Sequence, residues 1–74
     1  MGSLPVLKPQ EVIAILGCLG FSQVRQRGSH IQLRHADGRG TTVPLHQGRD
    51  ISPILLRQIA QDIHIPVDEL LKYR

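Results

Sequence analysis

The chain has 74 residues, 41% of them hydrophobic and 20% charged, with a formal net charge of +3. A chain of this length supports one modest core, burying about 60% of the surface that its unfolded form exposes. Only 3% of the residues are aromatic and one is cysteine, which disfavours a reader of stacked bases and excludes an intrachain disulfide.

The opening "MGSLPV" has Gly2, but Val6 stands where N-myristoylation needs Ser or Thr. Met1-Gly2-Ser3 reads in part as a cloning remnant. There is no secretory pattern, no apolar run long enough to span a bilayer, and a cysteine usage that suits a reducing compartment. A cytoplasmic protein is expected.

In "KPQEVIAILGCLGF", Pro9 stands where a first helical turn tolerates proline, and Glu11 lies near the positive end of the helix dipole. Val12, Ile13, Leu16 and Leu19 follow at helical spacing, and Gly20 is a natural stop. Cys18, in the last turn, is expected to be small, mostly buried and unreactive, because no His or Lys neighbours it in sequence. From Phe21 the period becomes two. "FSQVRQR" predicts one strand, "HIQLRHA" a second, and "TTVPLH" a third with Val43 and Leu45 inward. Asp37-Gly38 is a hairpin signal, and Pro44, which has no N–H, belongs on an edge.

"DISPILLRQIAQD" restarts a helix, with Ser52 as N-cap, Pro53 at the first position, and Leu55, Leu56, Ile59 and Ala60 on one face. "PVDELLKY" predicts a last short helix from Pro66, with Leu70 and Leu71 apolar. The order is helix, three strands, helix, short helix. It predicts an α+β fold over residues 1–74 as a single domain: a three-stranded antiparallel sheet with helices on one face.

The positive charge is not evenly spread. Residues 21–49 hold Arg25, Arg27, Arg34, Arg39 and Arg49 against Asp37 alone, whereas the rest of the chain is close to balanced. Such a concentration suits a phosphate-bearing partner, although scattered solubilising arginines would give the same count.

Strand parity sorts the histidines. Ile31 and Leu33 must face the helices, so His30, Gln32 and Arg34 face solvent together. His35 has inward parity near a strand end and is expected as a half-buried rim residue. His46 lies on the parity opposite Val43 and Leu45; a turn role is the simpler reading, and a second proton-transfer or phosphate-binding role is the other. His64 is expected on the surface. His30, His35 and His46 have no cysteine partners and no familiar ligand spacing, so no metal or other cofactor is expected.

Taken together, "LPVLKPQEVIAILGCLGF", "VRQRGSH" and "RHADGRGTTVPLH", followed by a Leu-Arg-containing helix, resemble the HicA family of toxins from toxin–antitoxin pairs. The pairing of "RQRGSH" with "TVPLH" about a dozen residues later is the specific part. The chain departs from many relatives at Ile31, directly after the histidine, and at Pro53 in the second helix. The resemblance implies a fold like the double-stranded-RNA-binding domain, α-β-β-β-α. It also implies an endoribonuclease that cleaves mRNA through the histidine of Gly-Ser-His, here His30, and a HicB-type antitoxin as partner.

The residues suit that chemistry. RNA carries its own nucleophile, the 2′-hydroxyl, and needs proton transfer and cations at the phosphate. An imidazole transfers protons in either direction near neutral pH, and arginine forks match phosphate oxygens. Arg25, Arg27 and Arg34 are therefore expected to bind substrate. Gly28, without bulk, and Ser29, with a hydroxyl and an N–H, join them at the approach to the phosphate. On its own, a polar strand start would also account for His30; position, parity and the resemblance together favour catalysis. Two other classes of function fit the composition, a non-catalytic double-stranded-RNA-binding module and a protein-interaction domain whose basic face meets an acidic partner.

Overall fold

In the computed structural model, which describes residues 4–46 and 48–74, helix α1 spans Pro9–Cys18. The segment Met1-Gly2-Ser3, read above in part as a cloning remnant, lies outside the described residues. Glu11 supports the helix start by accepting the Lys8 backbone N–H on Oε1 at 3.1 Å. The buried stripe of α1 is Val12, Ile15 and Leu16, with Leu19 packed against its end. Ile15 thus takes the central place that the sequence reading gave to Ile13. Positions 12, 15, 16 and 19 form one stripe at a period of 3.6 residues, and position 13 falls on its flank, where Ile13 is half-buried. Cys18 is exposed, not mostly buried. It is the final residue of α1, beyond which Leu19 and Phe21 take over the packing.

Three antiparallel strands follow in the spatial order β1-β2-β3: β1 (Phe21–Arg27), β2 (His30–His35) and β3 (Gly40–Pro44). β2 is the central strand, and its register aligns Ile31 with Val43 and Leu33 with Thr41. These four residues and Phe21 are the buried sheet residues. They meet α1 and helix α2 (Pro53–Ile63), which contributes Leu56, Ile59, Ala60 and Ile63. Helix α3 (Val67–Leu71) closes one end with Leu70. The order α-β-β-β-α with a short final helix is the α+β arrangement expected from the sequence, and it is of the double-stranded-RNA-binding-domain type.

A short backbone bridge joins the starts of the two long helices. Ile51 donates its N–H to the Leu7 carbonyl at 2.7 Å, forming an antiparallel bridge between the lead-ins to α2 and α1. Ser52 then caps α2 by accepting the Leu55 N–H at 3.2 Å; N-cap hydroxyls of this kind are worth about 1 kcal/mol. No helix among the described residues is long and apolar enough to cross a membrane.

Arg39 is the most heavily engaged cation among the described residues. Its Nε meets Asp37 Oδ2 at 2.8 Å, and its Nη1 donates to the Ile63 carbonyl at 2.7 Å. The guanidinium carbon also sits 5.2 Å from the centre of the Phe21 ring. One side chain therefore joins the β2–β3 turn to the last carbonyls of α2, which the helix itself leaves unbonded, and to the start of β1. Close by, Gly20 (φ +97°) admits the His35 ring, since a Cβ there would lie 3.0 Å from the imidazole Nε2. On the other side, buried Thr41 donates its hydroxyl to Asp62 at 2.9 Å and ties β3 to α2.

The Arg39 backbone N–H, aided by its guanidinium, holds the Asp37 carboxyl below its ordinary range. A depressed carboxylate pKa contributes stability that is fully present above the unfolded-state pKa of about 3.9 and is lost as pH falls through the folded-state value. Asp37→Asn is expected to lower the urea midpoint at pH 7. The gap from the wild type should close as both are acidified below that window. A gap that stays constant down to the acid limit would show that Asp37 acts only through its uncharged contacts.

Candidate functional site

The β1–β2 connection is a two-residue hairpin, Gly28-Ser29, with Arg27 paired directly with His30. Gly28 has φ +55° while Ser29 is not in the positive-φ region. Glycine at the first central position and an ordinary residue at the second is the pattern of a type II′ turn, whose twist suits antiparallel strands. The turn itself thus accounts for the glycine. The Gln26 side-chain amide donates to the Gly28 carbonyl at 3.1 Å, and the Ser29 carbonyl accepts the Leu45 N–H. That second bond carries the β2–β3 ladder past the end of β3 and lays residues 45 and 46 beside the turn.

Cross-strand partners in an antiparallel sheet point to the same face. The outer face, away from the helices, therefore carries His30, Gln32 and Arg34 from β2. Beside them lie Arg27, Arg25 and Ser22 from β1, and Pro44, Thr42 and Gly40 from β3. His30, Arg25, Arg27 and Arg34 are all exposed. The positions of Arg25 and Arg27 depend on an irregularity that the sequence reading did not contain. The register of β1 shifts between Gln23 and Arg25, leaving Val24 as an extra residue. Strict alternation from buried Phe21 would send both arginines to the helix side. A bulge inserts one residue and reverses the parity beyond it, and both then share the face of His30. Val24 itself is exposed and borders an open depression of about 410 Å³, also lined by Gln32, Arg34, Thr42 and Asp62.

His46 follows β3 by two residues and lies on the outer parity set by the pairing of Pro44 with His30. Its Nε2 is 3.1 Å from Ser29 Oγ, within hydrogen-bonding range. Its ring centre is 6.3 Å from that of His30, with the planes at 82°. Both histidines are exposed. The sequence held the signal for this approach: in an antiparallel hairpin the end of β3 returns to the start of β2, and equal parity puts 30, 44 and 46 on one side. On its other flank His46 borders a small cleft of about 130 Å³ with Lys8, Pro9, Arg49 and Asp50. Lys8 Nζ pairs there with Asp50 at 3.2 Å.

The remaining histidines stand apart from this group. His35 is half-buried, packs edge-on against Phe21 at 5.2 Å, and accepts the Asp37 N–H on Nδ1 at 3.0 Å. That is the rim role expected of it. His64 is exposed and ends α2 in the left-handed region at φ +58°. Arg57 lies exposed on α2, away from the sheet's outer face. Arg39, counted with the mid-chain positive charge, is drawn into the fold and does not join the outer face.

The fold and this face define a small α+β protein whose fold is of the double-stranded-RNA-binding-domain type, with a basic sheet surface around an exposed histidine pair. A family model described as "HicA toxin of bacterial toxin-antitoxin" matches residues 9–65, from the first residue of α1 to just past α2. The chain belongs to the HicA toxin family of bacterial toxin–antitoxin systems. No curated protein matches it.

Proposed function

We propose that this HicA-family protein is a metal-independent endoribonuclease that cleaves mRNA by proton transfer through His30. The observation that carries the reading is the register: exposed His30 stands opposite Arg27 and in one row with Arg34 on the open sheet face. A cation beside the proton-transfer group is what phosphodiester cleavage requires, because negative charge grows on the phosphate as the 2′-oxygen attacks. Arg25, Arg27 and Arg34 bind the backbone phosphates, and Ser29 supplies a hydroxyl at the turn. In this reading the protein acts in the cytoplasm, where mRNA is found, and a HicB-type antitoxin holds it in check.

The decisive experiment compares wild type with His30→Ala on a structured mRNA in the presence of EDTA. Wild type is expected to cut, since imidazole chemistry needs no metal, and His30→Ala to be slower by about 10²–10⁴-fold with RNA affinity nearly unchanged. Activity lost in chelator and restored by a divalent cation would overturn the mechanism. RNA that is bound by both proteins and cut by neither would make this a binding module instead.

Replacing Arg25, Arg27 or Arg34 should weaken RNA binding and flatten its salt dependence. Each phosphate contact contributes a slope of about −0.7 to −0.9 in the logarithmic plot of affinity against salt. Arg57→Ala should leave the slope where it is. Equal losses at all four positions would remove the idea of a localised binding face.

The antitoxin is expected to cover the outer face. An exposed active group is most directly silenced by occlusion, and an acidic partner would be steered toward the arginines. The complex should therefore shield His30 from acylation by diethylpyrocarbonate and lose RNA binding together with cleavage. Full reactivity of His30 within a silent complex would point to docking on the helical side and indirect inhibition.

A further inference from the structure

We propose that His46 is the second proton-transfer group of the site, working with His30 at opposite ends of one phosphoryl exchange. The proposal rests on the ribonuclease reading above and assigns its missing partner. Cleavage of RNA by its own 2′-hydroxyl requires two proton movements. A base removes the 2′-OH proton as that oxygen bonds to phosphorus. The bond from phosphorus to the 5′-oxygen then breaks with its electron pair on oxygen, and an acid delivers a proton there. The products are a 2′,3′-cyclic phosphate and a 5′-hydroxyl, with no change of oxidation state. A lone imidazole supplies one of these movements at a time, so a second titratable group on the same face completes the chemistry.

His46 is placed for that task and has little else to do. Its ring is exposed rather than packed in the core. The backbone job of its segment, closing the ladder beside the turn, is done by the Leu45 N–H on the Ser29 carbonyl. What the ring meets is Ser29 Oγ at 3.1 Å and the His30 ring, 6.3 Å away between centres with the planes at 82°. Two directly hydrogen-bonded imidazoles, with about 2.7–3.2 Å between their nitrogens, would bring the ring centres closer than this. A phosphate bound against both rings would then meet a proton donor or acceptor on each side. The serine bond fixes the orientation of the His46 ring as a neighbouring hydroxyl orients a catalytic imidazole.

The charged surroundings are consistent with a phosphate held there. Arg27 is the cross-strand partner of His30, and Lys8, Arg49 and Asp50 face His46 across the adjoining cleft. Asp50 is the one acidic group of that set, and Lys8 pairs with it. The charged groups flanking the histidines are thus Arg27, Lys8 and Arg49 against Asp50, a positive balance.

The test measures single-turnover cleavage of an RNA with one scissile bond across a range of pH, for wild type, His30→Ala, His46→Ala and His46→Gln. Glutamine keeps a hydrogen bond to Ser29 but cannot exchange a proton, so both His46 variants should be slower by about 10²–10⁴-fold with RNA affinity little changed. The wild-type profile should be bell-shaped and lose one limb in each His46 variant. A second substrate, with sulfur in place of the bridging 5′-oxygen, has a leaving group that needs no proton. It should restore the rate of the variant lacking the acid and leave the variant lacking the base slow, which also assigns the two roles. Full activity in His46→Gln would reduce His46 to a positioning residue and overturn the proposal, as would an intact two-limbed profile in His46→Ala. A wild type that cuts no RNA sinks the ribonuclease reading itself, whereas a wild type that needs His30 but not His46 sinks this inference alone.

Discussion

The burial of Ile31 and Leu33 is the constraint from which the outer face follows. Each is 2% exposed on the central strand, and burying such a side chain contributes about 1.5–3 kcal/mol. Because strand side chains alternate, fixing these two inward fixes His30, Gln32 and Arg34 outward. A slip of one residue would expose both apolar groups and drive an imidazole and a guanidinium against α1 and α2. Both penalties act in the same direction, so the register of β2 is strongly specified. β1 and β3 pair with this strand and inherit its orientation.

The arginines are then sorted by two local devices. The extra residue at Val24 turns Arg25 and Arg27 toward the side on which β2 presents His30. The β2–β3 turn draws Arg39 the other way, where Asp37, the Ile63 carbonyl and the Phe21 ring engage it. The mid-chain charge thus divides into a structural cation at one end of the sheet and three exposed cations across its open face. Arg49 belongs to neither group and lines the cleft beside His46. Charge counted along the sequence cannot make this division, because it depends on which side chain finds a carbonyl or a ring within reach.

Most of the element order was legible because each signal has a local cause. Ser52-Pro53 gives a capped helix start whatever surrounds it, and the outward parity of His30 and Arg34 needs only the alternation of "HIQLRH". The errors lie where tertiary packing decides. Ile13 and Ile15 are equally apolar, and the side that α1 turns to the core selects Ile15. Cys18 has the composition of a core residue, but it ends its helix where Leu19 and Phe21 fill the space. The bulge at Val24 left no mark in the sequence reading, since valine is an ordinary strand residue and no glycine announces the extra position. Charge density alone therefore points to Arg25 and Arg27, and the reason they share a face with His30 lies in the register.

Gly28-Ser29 shows how much of the site follows from one tight turn. Two residues are the shortest connection that antiparallel strands commonly use, so the strand residues flanking the turn are obligatory cross-strand partners. That is why His30, as the first residue of β2, is set against Arg27, while the β2–β3 register places Pro44 on its other side. The turn's own carbonyl, from Ser29, holds Leu45, and its hydroxyl meets His46. A longer, more mobile loop would leave the end of β3 without that anchor and the His46 ring without its hydrogen-bonding partner. The histidine pair is thus a product of the hairpin's economy: residues far apart in sequence are brought together by backbone bonds that the sheet requires in any case, and only the side chains of Ser29, His30 and His46 remain to be chosen for chemistry.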